Sequence, residues 1–117
     1  MNKHRQLVAW QRCRELTREV YCAVAVFPPA ERYGLSSQLC RASVPAAANI
    51  AEGHARYGRA EFAHALSVTL GSLAEVETLL QVACDLAYLN PEEYERLEAM
   101  RDEASRVTFA LQRKIRR

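Results

Sequence analysis

Apolar residues recur at three- and four-residue steps along four stretches of this chain, the period of a helix with one buried face. In the first stretch, Leu7, Trp10, Leu16, Val20, Tyr21, Val24 and Phe27 share a stripe, while Arg5, Arg12, Arg14, Arg18, Glu15 and Glu19 fill the other side. This predicts a helix from about His4 to Val26. Phe27-Pro28-Pro29 stops it, because a residue before proline is pushed out of the helical region. A connector to Leu35 follows, with a turn at Gly34, and Ser36 is suited to cap a second helix running to about Glu52. Pro45 lies inside that helix and predicts a kink or frayed step near Arg41 to Ser43. Gly53 is expected to close it as a C-terminal cap.

The third helix is expected from about Arg59 to Ala87. Its stripe is Phe62, Leu66, Leu70, Leu73, Val76, Leu80, Ala83 and Ala87. Gly71 interrupts it at a cost of roughly 1 kcal/mol relative to alanine, which suggests close packing there, as do Ala46, Ala47 and Ala48. The fourth start signal is the strongest. Asn90 caps, Pro91 fits the first helical position, and Glu92 and Glu93 complement the positive helix end. Tyr94, Leu97, Met100, Ala104, Val107, Leu111 and Ile115 continue the stripe. Four helices with short connectors imply an all-α, up-down-up-down four-helix bundle forming one domain over residues 1–117, a rod about 30 Å long.

Polar residues interrupt the apolar seams. Gln38, Arg41, Asn49, Glu52, Glu75 and Glu77 fall among positions that read as buried. Burying such groups costs free energy unless each finds a partner. The expectation is a structural polar network that sets register and assembly, with Arg41 and Glu75 able to pair between the second and third helices and Asn49 able to bridge backbone.

Composition narrows the chemistry. The 117 residues carry a net charge of +2, with two lysines against fourteen arginines. Arginine suits bidentate phosphate and carboxylate contacts, though codon bias gives the same excess. His54, Arg56, Tyr57 and Arg59 form a basic loop with an aromatic between cations, a pattern that fits phosphate contact with base stacking. Pairing of its arginines with Glu52 or Glu61 is the plainer reading. Arg113, Lys114, Arg116 and Arg117 add a basic C-terminal run, which also complements the negative helix end.

Cys13, Cys22, Cys40 and Cys84 are scattered in apolar contexts and read as small buried hydrophobes of a reducing compartment. Glu61-x-x-His64 has di-iron spacing but lacks the second copy and the further glutamates such a site needs. No metal, cofactor or catalytic residue is expected, and no Gly-rich phosphate loop or nucleophile elbow occurs. The basic N-terminus is followed by no apolar signal core, and no run is long enough to span a membrane, so a cytoplasmic protein without membrane contact is expected.

Several segments are familiar together. Ser36-Ser37-Gln38-Leu39, Asn49-Ile50-Ala51-Glu52-Gly53 and Leu70-Gly71-Ser72-Leu73-Ala74-Glu75-Val76-Glu77 resemble the four-helix-bundle family encoded in intervening sequences of bacterial 23S ribosomal RNA genes. Val8-Ala9-Trp10-Gln11 and Cys84-Asp85-Leu86-Ala87-Tyr88-Leu89 match its first and third helices. The resemblance implies a left-handed bundle that forms homopentamers around a central pore. It also implies likeness to the accessory protein of diversity-generating retroelements, a basic pentamer that binds nucleic acid and a reverse transcriptase. The chain departs from the family at Pro45, which comes earlier than the usual proline before Asn-Ile-Ala-Glu-Gly. The expected function is therefore a non-enzymatic, self-associating protein that binds RNA or DNA. The rival is a scaffold that docks another protein and no nucleic acid.

Overall fold

In the computed structural model, which describes residues 3–56 and 58–117, the chain is four α-helices preceded by a 3-10 turn at Lys3–Gln6. They are α1 (Val8–Val24), α2 (Leu35–Ala55), α3 (Arg59–Asp85) and α4 (Pro91–Arg116), with a further 3-10 turn at Pro29–Glu31. Each helix packs on its sequence neighbour, and α4 closes the ring against α1. The bundle measures 44 × 22 × 20 Å. It exceeds the expected rod because α3 and α4 run to 27 and 26 residues. Leu16, Leu39, Ile50, Leu66, Leu73, Leu80 and Leu97 fill the centre and are essentially inaccessible. Tyr21, expected on the buried stripe, is instead half exposed.

Local chemistry sets the helix ends, in places differently from the sequence reading. Asn90 does cap α4: its side chain accepts from the Glu93 N–H at 2.7 Å. Ser36 does not cap α2. The helix begins one residue earlier, and the Glu31 carboxylate accepts the Leu35 N–H at 3.0 Å, doing the work of a cap from outside the helix. α2 also runs through Pro45 without a break, so the frayed step at Arg41 to Ser43 is absent. Neighbouring carbonyls take side-chain donors: Thr17 donates to Ser43 O at 3.0 Å, Thr69 to Ala46 O at 2.8 Å and Asn49 to Pro45 O at 2.8 Å.

α3 stops at Asp85, short of Ala87. Ala87 adopts a φ of 63°, its N–H bonds to Cys84 O at 2.9 Å, and the Tyr88 N–H bonds to Ala83 O at 2.9 Å. This is a Schellman closure with alanine at the left-handed position usually given to glycine. A side chain there is disfavoured by roughly 1 kcal/mol or more. Ala87→Gly is expected to raise stability by about 0.5–1 kcal/mol, read as a higher denaturant midpoint at unchanged slope.

The two helical glycines exchange the roles the sequence suggested. Gly53 does not cap α2, which continues to Ala55. It lies buried at the α2–α3 crossing, where an added Cβ would fall 2.4 Å from the Ala65 Cβ. Gly71, expected to mark close packing, faces open space with nothing within 4 Å. Gly71→Ala is therefore expected to stabilise the chain by up to about 1 kcal/mol through helix propensity alone, checked by thermal unfolding.

The buried polar groups also differ from those expected. Ser43, Thr69, Arg101, Thr108 and Gln112 are buried, whereas Gln38, Arg41, Glu52, Glu75 and Glu77 are exposed and Asn49 is half-buried. Arg41 and Glu75 form no ion pair among the described residues; of the six, Asn49 donates to Pro45 O and Glu77 reaches the buried Arg101. Hydroxyls and amides suit the seams better, because they hydrogen-bond locally without the desolvation cost of a charge. Arg101 is the exception. It makes a bidentate contact to Glu98 at 2.7 and 2.9 Å, with Glu77 at 3.7 Å, and these bonds hold its pKa above the ordinary arginine value.

Candidate nucleic-acid interface

The up-down topology gathers charge that the sequence disperses. The N-terminal turn, the α2–α3 connection and the end of α4 meet at one end of the bundle. Lys3, Arg5, Arg56, Arg59, Arg113, Lys114, Arg116 and Arg117 therefore share that end, with Glu52 and Glu61 the nearby carboxylates. The opposite end carries Glu31, Asp85, Glu92, Glu93, Glu95 and Glu98, in excess over Arg32, Arg41, Arg96 and Arg101. A net charge of +2 thus conceals two poles.

The residues of the basic loop are less available than their sequence suggests. Arg56 lies 3.9 Å from Glu52 and 3.6 Å from Glu61, long contacts that leave it partly neutralised. Arg59 donates to the carbonyl oxygen of Arg117 at 2.7 Å, tying the start of α3 to the end of α4. Tyr57 lies outside the described residues. Gly58, at φ 106°, makes the turn into α3, a conformation that suits glycine.

The C-terminal run is the freer component. Arg113, Lys114, Arg116 and Arg117 are exposed and make no ion pair among the described residues, and the Arg113 guanidinium lies 5.9 Å from the centre of the Phe109 ring, itself half exposed. Lys3 and Arg5 are likewise exposed, and the Arg5 carbonyl accepts from the Gln11 side chain at 2.8 Å, which fixes the N-terminal turn to α1. A cleft lined by Arg59, His64, Ser67, Ile115 and Arg116 lies between the start of α3 and the end of α4. Below it, Gln112 donates to Ala63 O at 2.8 Å and to the Ser67 hydroxyl at 2.7 Å, locking α4 against α3. The sequence reading missed Lys3, Arg5 and His64 as members of this end. Only the antiparallel topology shows that the chain's start and finish are neighbours.

A model of the 23S rRNA-intervening sequence protein family matches residues 5–110. The chain belongs to that family. The match ends before the basic tail of Arg113, Lys114, Arg116 and Arg117, so that part of the pole is read from this chain's own residues. Among solved structures, a protein of unknown function of the S23 ribosomal protein family from Bacteroides thetaiotaomicron VPI-5482 has the same fold, with a TM-score of 0.81 at 21% identity, over 90% of this chain and 98% of that one. No curated protein matches the chain. Among the described residues of this intervening-sequence family member, no helix is long and apolar enough to cross a membrane.

Its cysteines do not form a group. Cys13 is buried, and burial pushes its thiol up to about 11; Cys22 is exposed, contrary to the reading that all four are buried, and Cys40 and Cys84 are half-buried. Among the described residues, no three histidine, cysteine or carboxylate side chains gather as metal ligands.

Proposed function

We propose that this intervening-sequence family member is a non-enzymatic cytoplasmic protein that self-associates, in the pentameric ring the resemblance implies, and binds RNA or DNA through the basic pole of its bundle. The separation of charge along the rod carries the reading. Four exposed cations on α4 and its end, joined by Lys3 and Arg5, present a surface to phosphates while the carboxylates lie mostly at the far end. Parallel protomers in a ring would place these poles on one face. Weak phosphate contacts then gain through repetition.

The outward face of α2 and α3 supports self-association. Val44 is 45% and Val68 40% exposed, with Ala48 beside them in the helical repeat. Glu52 and Glu75 occupy the same exposed stripes, so these two hydrophilic motif residues would meet partners across protomers. Light scattering is expected to report a particle several times the 13.2 kDa chain; a 13.2 kDa particle at every concentration defeats the ring. Labelled RNA is expected to shift in a gel at low salt with micromolar protein, and unchanged mobility defeats the nucleic-acid reading. The apolar face favours the scaffold as the second reading. Assembly together with unchanged RNA mobility would select it.

A further inference from the structure

A second cluster of free arginines lies at the acidic end, where carboxylates are plentiful. Arg32 and Arg41 line a cleft of about 600 Å³ between the end of α1, the connector and the first turns of α2. Ser36, Ser37 and Cys40 complete its polar wall, and Phe27, Pro28 and Pro29 supply an apolar one. No carboxylate lines it. The nearest one in sequence, Glu31, is committed elsewhere: one oxygen accepts the Leu35 N–H at 3.0 Å and the other the Tyr88 hydroxyl at 2.9 Å, and these bonds hold its pKa below the ordinary value. Neither Arg32 nor Arg41 forms an ion pair among the described residues.

Tyr33 makes the cleft more than an anion trap. Its ring is 88% exposed, an unusual cost for an aromatic with nothing to cover it, and the Arg32 guanidinium lies 5.6 Å from its centre. We infer that this cleft binds a nucleotide, with the phosphate held by Arg32, Arg41 and the Ser36 and Ser37 hydroxyls and the base stacked on Tyr33. Arginine offers the fork geometry phosphate needs, and an aromatic face accepts any base. A free mononucleotide and the end of a nucleic-acid strand present the same chemistry.

The site is distant from the basic pole, so the two readings fail separately. Calorimetric titration of the full chain with AMP is expected to show saturable binding, with adenosine or inorganic phosphate alone about tenfold weaker or more. Arg41→Gln and Tyr33→Ala are each expected to weaken AMP by about tenfold, because each removes one charge-assisted or stacking contact. Both side chains are exposed, and unchanged melting confirms that the variants fold. Neutralising Arg113, Lys114, Arg116 and Arg117 is expected to leave AMP binding unchanged while weakening RNA. Absence of saturable AMP binding, or an affinity in Arg41→Gln and Tyr33→Ala unchanged from the parent chain, overturns the site. A short oligoadenylate that binds more tightly than AMP through the same residues assigns the site to a strand end; equal or weaker binding assigns it to the free nucleotide.

Discussion

Gly53→Ala is expected to destabilise the chain toward the upper end of the roughly 1–3 kcal/mol typical of overpacking, lowering the melting temperature by on the order of 10 °C. The added methyl would lie 2.4 Å from the Ala65 Cβ and 3.3 Å from the Phe62 ring. A Cβ cannot rotate away, so relief requires α2 and α3 to separate. That separation would loosen Leu66 and Ile50, which are fully buried on those helices. Helix propensity acts in the opposite direction by about 1 kcal/mol, so a net loss isolates the steric term. Gly71→Ala supplies the control, since it adds the same methyl to open space. Ala65→Gly should rescue the Gly53 variant, giving a coupling energy that a simple propensity effect would not produce. If the Gly53 and Gly71 variants shift stability alike, the helix crossing is not the reason for Gly53.

The same pair shows what a sequence can reveal. Along the chain Gly53 reads as a helix end and Gly71 as a helix-interior glycine; only the element across from each shows that Gly53 is the one at a close crossing. Local features were more legible. Asn90-Pro91-Glu92-Glu93 encodes its own cap, and the four apolar stripes encode the bundle. The cap of α2 was not legible from Ser36, because Glu31 reaches it from outside the helix. The charged motif residues interrupt apolar seams, a pattern that fits either an interior or an interface between copies; within the single chain Arg41, Glu52, Glu75 and Glu77 are exposed. The buried Ser43, Thr69 and Gln112 donate to nearby carbonyls, while the buried Thr108 hydroxyl has no partner among the described residues. The basic pole was half legible. Its two sequence clusters could be seen, but the addition of Lys3 and Arg5 and the tie between Arg59 and Arg117 required the fold.

That tie changes which variant tests nucleic-acid binding best. Arg56 and Arg59, the natural choices from sequence, are engaged by Glu52, Glu61 and the Arg117 carbonyl. Replacing them would disturb the α2–α3 connection as well as the charge. The side chains of Arg113, Lys114, Arg116 and Arg117 make no ion pair among the described residues and can be changed to glutamine together. Glutamine is preferred to glutamate, which would oppose the negative end of the α4 dipole. If these four cations neutralise four phosphates of a single strand, the logarithm of affinity should fall with the logarithm of salt at a slope of about −3 per protomer engaged. From roughly 50 to 200 mM salt, the expected loss is about fifty-fold for one protomer and steeper for an assembly. The quadruple variant should lose about two to three orders of magnitude in affinity near 0.1 M salt and most of the slope with it. Binding measured by fluorescence anisotropy across a salt series reads both quantities. A variant that keeps the parent's slope places the phosphates elsewhere on the molecule. A parent with no slope would mean that this pole does not hold nucleic acid, because phosphate contact by these cations releases counterions.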